Sequence, residues 1–396
     1  MSTTTLDHID MMDVARRTGL ERLDGGSQES ALPIFVHGPT RQEFTLVPAG
    51  RFAMGLNAEE LVSALREVHF DPDIDVWREQ HRHHYESANP VHGVSVQAFL
   101  CGRSPLLGRT VSSVDRSLKW SPHETAEHHG PTVAAAMTAA DAEKVLKALG
   151  WELISEAQWE YVARCGGTQR WAETRANIDL LQCDPRYSGA ASTCTPWGIW
   201  GLGLGEWMAD EWHESYATAP SDGSPWRSRQ GPPSSIRGGG VLHAPWQDSN
   251  EAMSCHASRR GGTGAGRKVF TARPIIALPW LHSSLPHAEV ASYVPFDEAI
   301  AKLESELRAK AAERRHSDEA RRARYQRLLT ELPASFQKGT VRSVGGDGVY
   351  VVRLAEANAI LRLGRDDPRL VPGTSVTVRI VGSGGVPDAE LVAIHE

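Results

Sequence analysis

Nine of the chain's twelve tryptophans lie between Trp151 and Trp246, and from residue 168 to about 280 the sequence is rich in Gly, Pro and Ser with little periodicity. Such a stretch is too long for an idle connection. It is also too aromatic for disorder, which goes with few aromatic residues. Each indole offers a large apolar face and one N–H donor, so a cluster implies an aromatic core or a recognition surface. The sequence therefore predicts irregular structure packed around tryptophans.

The flanking segments carry ordinary signals. Residues 1–40 read as an N-terminal extension, with a short helix from Asp7 to Leu23 ended by Gly25-Gly26-Ser27. Glu43 to Pro48 reads as a strand, Ala49-Gly50 as a turn and Arg51 to Gly55 as the returning strand of a hairpin. Residues 56–90 are polar. Their cluster His81-Arg82-His83-His84 and the later His123, His128 and His129 read as solvated loop in preference to metal ligands. Val91 to Phe99 alternates as a half-buried strand does. Thr138 can cap a helix running to Leu149, with Ala142, Val145, Leu146 and Leu149 on one face. Ser155-Glu156-Ala157-Gln158 fits a capping box that opens another helix.

Pro295 closes the large domain, residues 41–294. Residues 295–334 are dense in Ala, Glu, Arg and Lys and predict a long charged helix. Ile300, Leu303 and Leu307 begin an apolar stripe and Tyr325, Leu328, Leu329 and Leu332 end one. The charged middle suits a partly exposed strut better than a coiled coil. Residues 335–396 hold five short apolar or alternating runs: Thr340–Val344, Gly348–Leu354, Ala359–Leu363, Ser375–Val381 and Ala389–Ile394. They predict a small β-barrel of OB or S1-like type. With only Phe336 and Tyr350 as aromatics and charge near balance, it lacks the stacking platform of a single-strand binder. The fold class is thus α+β.

Net charge is −7, which disfavours nucleic-acid binding driven by overall positive charge. No apolar run approaches the ~20 residues of a membrane helix, and the N-terminus lacks the basic and apolar regions of a secretory signal. The expected location is the cytoplasm. The five cysteines are widely spaced without a CxxC, so neither a disulfide framework nor a zinc ribbon is expected.

Six segments carry a family resemblance. They are Phe44-Thr45-Leu46-Val47-Pro48-Ala49-Gly50-Arg51-Phe52-Ala53-Met54-Gly55; Asn89-Pro90-Val91-His92-Gly93-Val94-Ser95-Val96-Gln97-Ala98-Phe99; Ser155-Glu156-Ala157-Gln158-Trp159-Glu160-Tyr161-Val162-Ala163-Arg164; Gly205-Glu206-Trp207-Met208-Ala209-Asp210-Glu211-Trp212; Arg237-Gly238-Gly239; and Thr271-Ala272-Arg273-Pro274. In this order, across residues 40–280, the chain resembles the formylglycine-generating enzyme, or sulfatase-modifying factor, family. The third segment is the most specific. The resemblance implies an irregular, C-type-lectin-like fold.

That family oxidises a substrate cysteine with oxygen at a copper(I) ion held by two cysteines beyond the R-G-G segment, soft thiolates being the ligands copper(I) demands. Here the corresponding stretch runs from Gly240 through His243 and Trp246 to Cys255-His256, with His243 near the first cysteine's place. The resemblance also implies calcium ligands at Asn177 and Glu206. The asparagine of the family's G-N-x-W pattern is missing, and against that pattern the chain is two residues shorter between Gly198 and Glu206, which weakens a site needing six to eight oxygens. No other cofactor is expected.

The leading expectation is a non-catalytic recognition or scaffold protein that binds a protein partner. The resemblance implies a setting as well, since cytoplasmic, degenerate members of the family often accompany signalling or defence proteins in bacteria. Candidate surface residues are Trp197, Trp200, Trp226, Arg237, His243, Trp246, Cys255, His256 and Arg259, whose Trp and Arg content is that of interface hot spots. Two alternatives stay open. One is a metal-dependent oxidase or tailoring enzyme with a site rebuilt around His243, Cys255 and His256. The other is nucleic-acid binding through residues 336–396.

Overall fold

The computed structural model describes residues 6–23, 32–67, 74–122, 134–170, 195–227, 233–238, 257, 260–262, 270–283, 285 and 293–306, scattered positions from 309 to 320, and 336–345, 348–355, 358–363, 367–381 and 388–395. The chain forms two compact units, Met1–Ser305 and Glu306–Glu396. Both α and β structure is present, and no helix among the described residues is long and apolar enough to cross a membrane.

The first unit opens with α1 (Met11–Thr18), β1 (Glu21–Arg22), β2 (Ile34–Val36), β3 (Glu43–Val47) and β4 (Gly50–Met54). Next come α2 (Ala58–Glu67), α3 (Ile74–Ser87), β5 (His92–Val96), β6 (Phe99–Gly102), α4 (Gly108–Val114), β7 (Ser121–Pro122) and β8 (Ala135–Ala136). They are followed by α5 (Ala139–Ala148), β9 (Glu152–Leu153), α6 (Glu156–Ala163), β10 (Glu206–Trp207), β11 (Ser235–Arg237), β12 (Arg260–Gly262), β13 (Thr271–Ala272) and β14 (Pro274–Ala277). The main sheets have the orders β1-β2-β3-β6-β14-β9 and β12-β11-β10-β13.

Several expectations change. Within the N-terminal segment, β1 and β2 extend the six-stranded sheet, and Val14, Leu20 and Phe35 are buried in the core. The first helix stops at Gly19, which adopts φ 70, earlier than the glycine pair at 25 and 26. The expected hairpin does not close. β3 pairs with β2 and β6, whereas β4 pairs with β5. Pro48 has no N–H to donate to a ladder, and the Tyr161 hydroxyl donates to its carbonyl at 3.3 Å. A Cβ on Gly50 would fall 2.0 Å from that hydroxyl oxygen, so a bare backbone is needed where the chain changes sheets.

Ala58–Glu67 and Ile74–Ser87 are helical where polar loop was expected. Asn57 accepts the Glu60 amide at 2.8 Å and so caps α2. On α3, His81 and His84 are buried and His83 is exposed. That helix is held by long-range contacts invisible to local pattern. Arg82 makes a two-pronged bond to Asp297 at 2.7 and 3.1 Å, and the Tyr85 hydroxyl donates to the Val294 carbonyl at 2.8 Å. His123, His128 and His129 lie outside the described residues.

The helices at Thr138 and Ser155 form as their caps predict. Thr138 accepts the Asp141 amide, and Ser155 and Gln158 make both halves of the capping box. In the tryptophan-rich stretch, β10 to β14 are two to four residues long, and indoles do much of the packing. Trp207 is fully buried and donates to the Met137 carbonyl at 2.9 Å. Trp151 packs edge-on against Phe44, ring centroids 4.9 Å apart. Residues 296–306 are helical, with Ile300 and Leu303 buried. Leu307, Tyr325, Leu328, Leu329 and Leu332 lie outside the described residues.

The second unit contains β15 (Phe336–Val344), β16 (Val349–Arg353), β17 (Asn358–Arg362), β18 (Ser375–Val381) and β19 (Asp388–His395). They close in the order β15-β16-β17-β19-β18, with β17 and β19 parallel and the other pairs antiparallel. Five strands in this closed arrangement fit the expected OB-like barrel. Period-two alternation supplies its core: Tyr350, Val352, Ala359, Leu361, Val376 and Val378 point inward and are buried. Leu361→Ala should lower the barrel's stability by about 2–5 kcal/mol, read as an earlier unfolding transition in calorimetry of the full chain.

Candidate functional site

Helix α6 repeats a charge every fourth residue, Glu156, Glu160 and Arg164, which places all three on one face. That face points inward: each of the three is buried. Glu156 accepts from Arg260 at 2.8 and 2.9 Å, from Arg237 at 3.0 Å, from the Tyr216 hydroxyl at 3.1 Å and from the Ser235 hydroxyl. Glu160 accepts from Arg237 at 2.9 Å, Arg164 at 2.8 Å and the Gly55 amide at 2.8 Å. Arg164 continues to Glu60 at 2.5 Å and to the Gly55 carbonyl at 2.7 Å.

A second buried pair completes the system. Arg273 donates through two nitrogens to Glu206, whose carboxylate also accepts from Trp159 Nε1 at 3.0 Å. Arg273 reaches the carbonyls of Gly102 and Trp200 as well, each at 2.8 Å. Buried charges are tolerated when paired and hydrogen-bonded, and here signs alternate throughout. Burial pushes the Glu156 carboxyl up, but the Arg260 and Arg237 guanidiniums outweigh it and hold the pKa to about 2.

The lattice grips the irregular loop that follows β10. Asp210 accepts the Glu156 amide and the Trp226 amide, each at 2.8 Å, and Ser155 Oγ donates to the Gly223 carbonyl at 2.8 Å. Burial, and then the neighbouring Glu156 charge, push the Asp210 carboxyl up to about 7. Arg260 lies between the Trp212 and Tyr216 rings, 4.5 and 4.4 Å from their centroids. The His213 ring stacks on Trp226 with centroids 3.6 Å apart. Buried His92 packs edge-on against Tyr216 at 5.1 Å, and desolvation holds its pKa below the usual histidine range. Gly238 sits at φ 78, where a Cβ would lie 2.2 Å from the Leu202 carbonyl oxygen, so the second position of the R-G-G segment needs glycine.

The candidate surface divides. Trp197 and Trp200 are buried at 8% exposure, and Arg237 is fully buried. These three are corrected from surface to interior, because Trp197 packs edge-on against Tyr161, the Trp200 carbonyl accepts from Arg273, and Arg237 bridges two carboxylates. Trp226 stays half-buried. Glu206, a candidate calcium ligand, has both oxygens on Arg273. His243, Trp246, Cys255, His256, Arg259 and Asn177 lie outside the described residues. Among the described residues no group of three or more His, Cys, Asp or Glu is placed to hold a metal ion. Cys101 and Cys165 are buried free thiols, pushed by desolvation to about 12 and about 11.

No protein-family model matches the chain, and no curated protein sequence matches it. Solved structures similar to it include PvdO from Pseudomonas aeruginosa, at 18% identity and TM-score 0.43, covering 64% of this chain and all of that one. Treponema denticola variable protein 1 is similar at 15% identity and TM-score 0.40, covering 61% of this chain and 98% of that one.

Sequence reasoning missed Arg260, Tyr216 and Asp210 as lattice members. The signal available was the four-residue charge repeat of α6 inside an otherwise apolar helix, which demands partners from elsewhere. Removing one partner strands buried charge, so Arg237→Ala should destabilise the first unit by about 3–5 kcal/mol, read by urea melts. A second outcome concerns pH. An acid whose folded pKa exceeds its unfolded value loses stabilisation as pH rises between the two. Asp210→Asn does not titrate, so its stability relative to the parent should improve as pH rises from the ordinary 3.8 toward about 7, and level off above. Chemical melts of both proteins at successive pH values check this.

Proposed function

We propose that the first unit is a non-catalytic recognition scaffold on a formylglycine-generating-enzyme-like, C-type-lectin-like frame, binding a protein partner in a bacterial signalling or defence system. The observation that carries this reading is where the motif residues spend their polar atoms. Glu156, Glu160, Arg164, Glu206, Arg237 and Arg273, all within the family-like segments, are buried and bonded to one another or to backbone. Groups so engaged hold geometry; a general acid or base must reach a substrate proton.

The thiol chemistry points the same way. A copper(I) site of the family type needs a pair of soft thiolates, and the stretch after Arg237-Gly238-Gly239 offers Cys255 with histidines. The lattice meanwhile fixes the loop from Met208 to Arg227, leaving Trp212 and Trp226 half-buried. Irregular loops on a rigid frame are the usual site of recognition, and aromatic residues with arginine are the usual anchors.

Metal analysis and oxygen uptake on the full chain purified from its native host test the reading. The expected result is no stoichiometric copper or iron, no oxygen consumption and a protein companion whose cross-links map to residues 208–227. Stoichiometric redox metal with oxygen uptake, both lost in Cys255→Ser or His243→Ala, would replace the scaffold with the rebuilt oxidase.

A further inference from the structure

Charge in the barrel is balanced by composition but sorted in space. β15, β16 and β17 carry Lys338, Arg342, Arg353 and Arg362 and no acidic residue. The strand acids, Asp388 and Glu390, both lie on β19. Glu390 is taken by Arg379, and Asp388 sits 3.6 Å from Arg362 in a pair whose members are 61% and 62% exposed. Such a pair contributes little. Arg342 and Arg353 have no acidic partner among the described residues and are exposed.

The register sets out what this face presents. Val349 lies opposite Arg362, Val351 opposite Ile360, and Arg353 opposite Asn358 and Thr340. Because Tyr350, Val352, Ala359 and Leu361 point into the core, the alternate positions face outward. A half-buried apolar strip of Val349, Val351 and Ile360 therefore runs between a guanidinium at either end, Arg353 and Arg362, with Arg342 alongside on β15. Arg353 and Val349 are four positions apart, about 13 Å along the strand.

Three considerations choose the occupant. The barrel is closed, so an incoming chain finds no free edge for strand addition and must be read through side chains. Tyr350 on β16 points into the core, so its ring offers no platform for base stacking. The guanidiniums invite bidentate carboxylates, and the apolar strip between them invites an aliphatic side chain.

We propose that the outer face of β15, β16 and β17 docks an extended acidic segment of a partner protein, its carboxylates on Arg342, Arg353 and Arg362 and an aliphatic side chain over Val351 and Ile360. This assignment is independent of the reading of the first unit.

The test is fluorescence anisotropy with the full chain and a labelled peptide of about twelve residues, glutamate- and aspartate-rich around a central leucine, a length of about 40 Å when extended. Binding should weaken with salt and fall about tenfold in the double variant R353Q/R362Q, as loss of complementary charge predicts. R353K/R362K, which keeps the charge and loses the bidentate fork, should bind more tightly than R353Q/R362Q and more weakly than the parent, and R379Q, whose partner is Glu390, should change binding less than about twofold. A thermal melt confirms that each variant is folded. Equal affinity for the same peptide with lysines in place of its acids would overturn the proposal, as would undiminished binding by R353Q/R362Q. Tighter binding of a single-stranded oligonucleotide of equal charge through the same arginines would also overturn it, assigning the face to nucleic acid.

Discussion

Glu156 is buried and accepts from two guanidiniums, a phenol and a serine hydroxyl. Around that single buried carboxylate the first unit is assembled. Its partners come from β11, from β12 and from the loop after β10, segments separated from it by 60 to 104 positions in sequence. An ionised carboxylate is tolerated in an interior only when such partners are present together. Correct placement of the loops and burial of the charge are therefore one event.

This explains how a region with strands of two to four residues keeps a defined shape. Regular elements satisfy backbone groups by repetition; irregular ones need side chains to do so. Arg164 and Arg273 cap the carbonyls of Gly55, Gly102 and Trp200, and Arg260 those of Ser87 and His213. The indoles fill the space between, and the fully buried Trp159 and Trp207 each donate to an acceptor. Polar lattice and aromatic packing are complementary: apolar surroundings strengthen each ion pair, and each ion pair fixes the rings against it.

The barrel is built on the opposite principle. Its interior is almost wholly aliphatic, its order comes from ladder hydrogen bonds, and the charges of its described residues are on the outside or at the rim. Exposed pairs of this kind add little to stability, which frees the outer positions of β15 to β17 to serve recognition. One chain thus joins a unit whose charges are structural to a unit whose charges are available.

Local pattern alone determined the elements whose cause is local. The caps at Thr138 and Ser155, the alternation of all five barrel strands and the tryptophan-dense irregular stretch depend on neighbours within a few residues. Tertiary structure decided the rest. The polar segment 56–90 became two helices because Asn57, Arg82 and Tyr85 found partners, the last two more than two hundred positions away. The apparent hairpin at Ala49-Gly50 was split between two sheets by a tyrosine from α6. Arg237, which by composition belonged to a binding surface, was drawn inside by two glutamates one helical turn apart. A charged side chain carries no local mark of whether it will meet water or an opposite charge, because that depends on which distant segment folds over it.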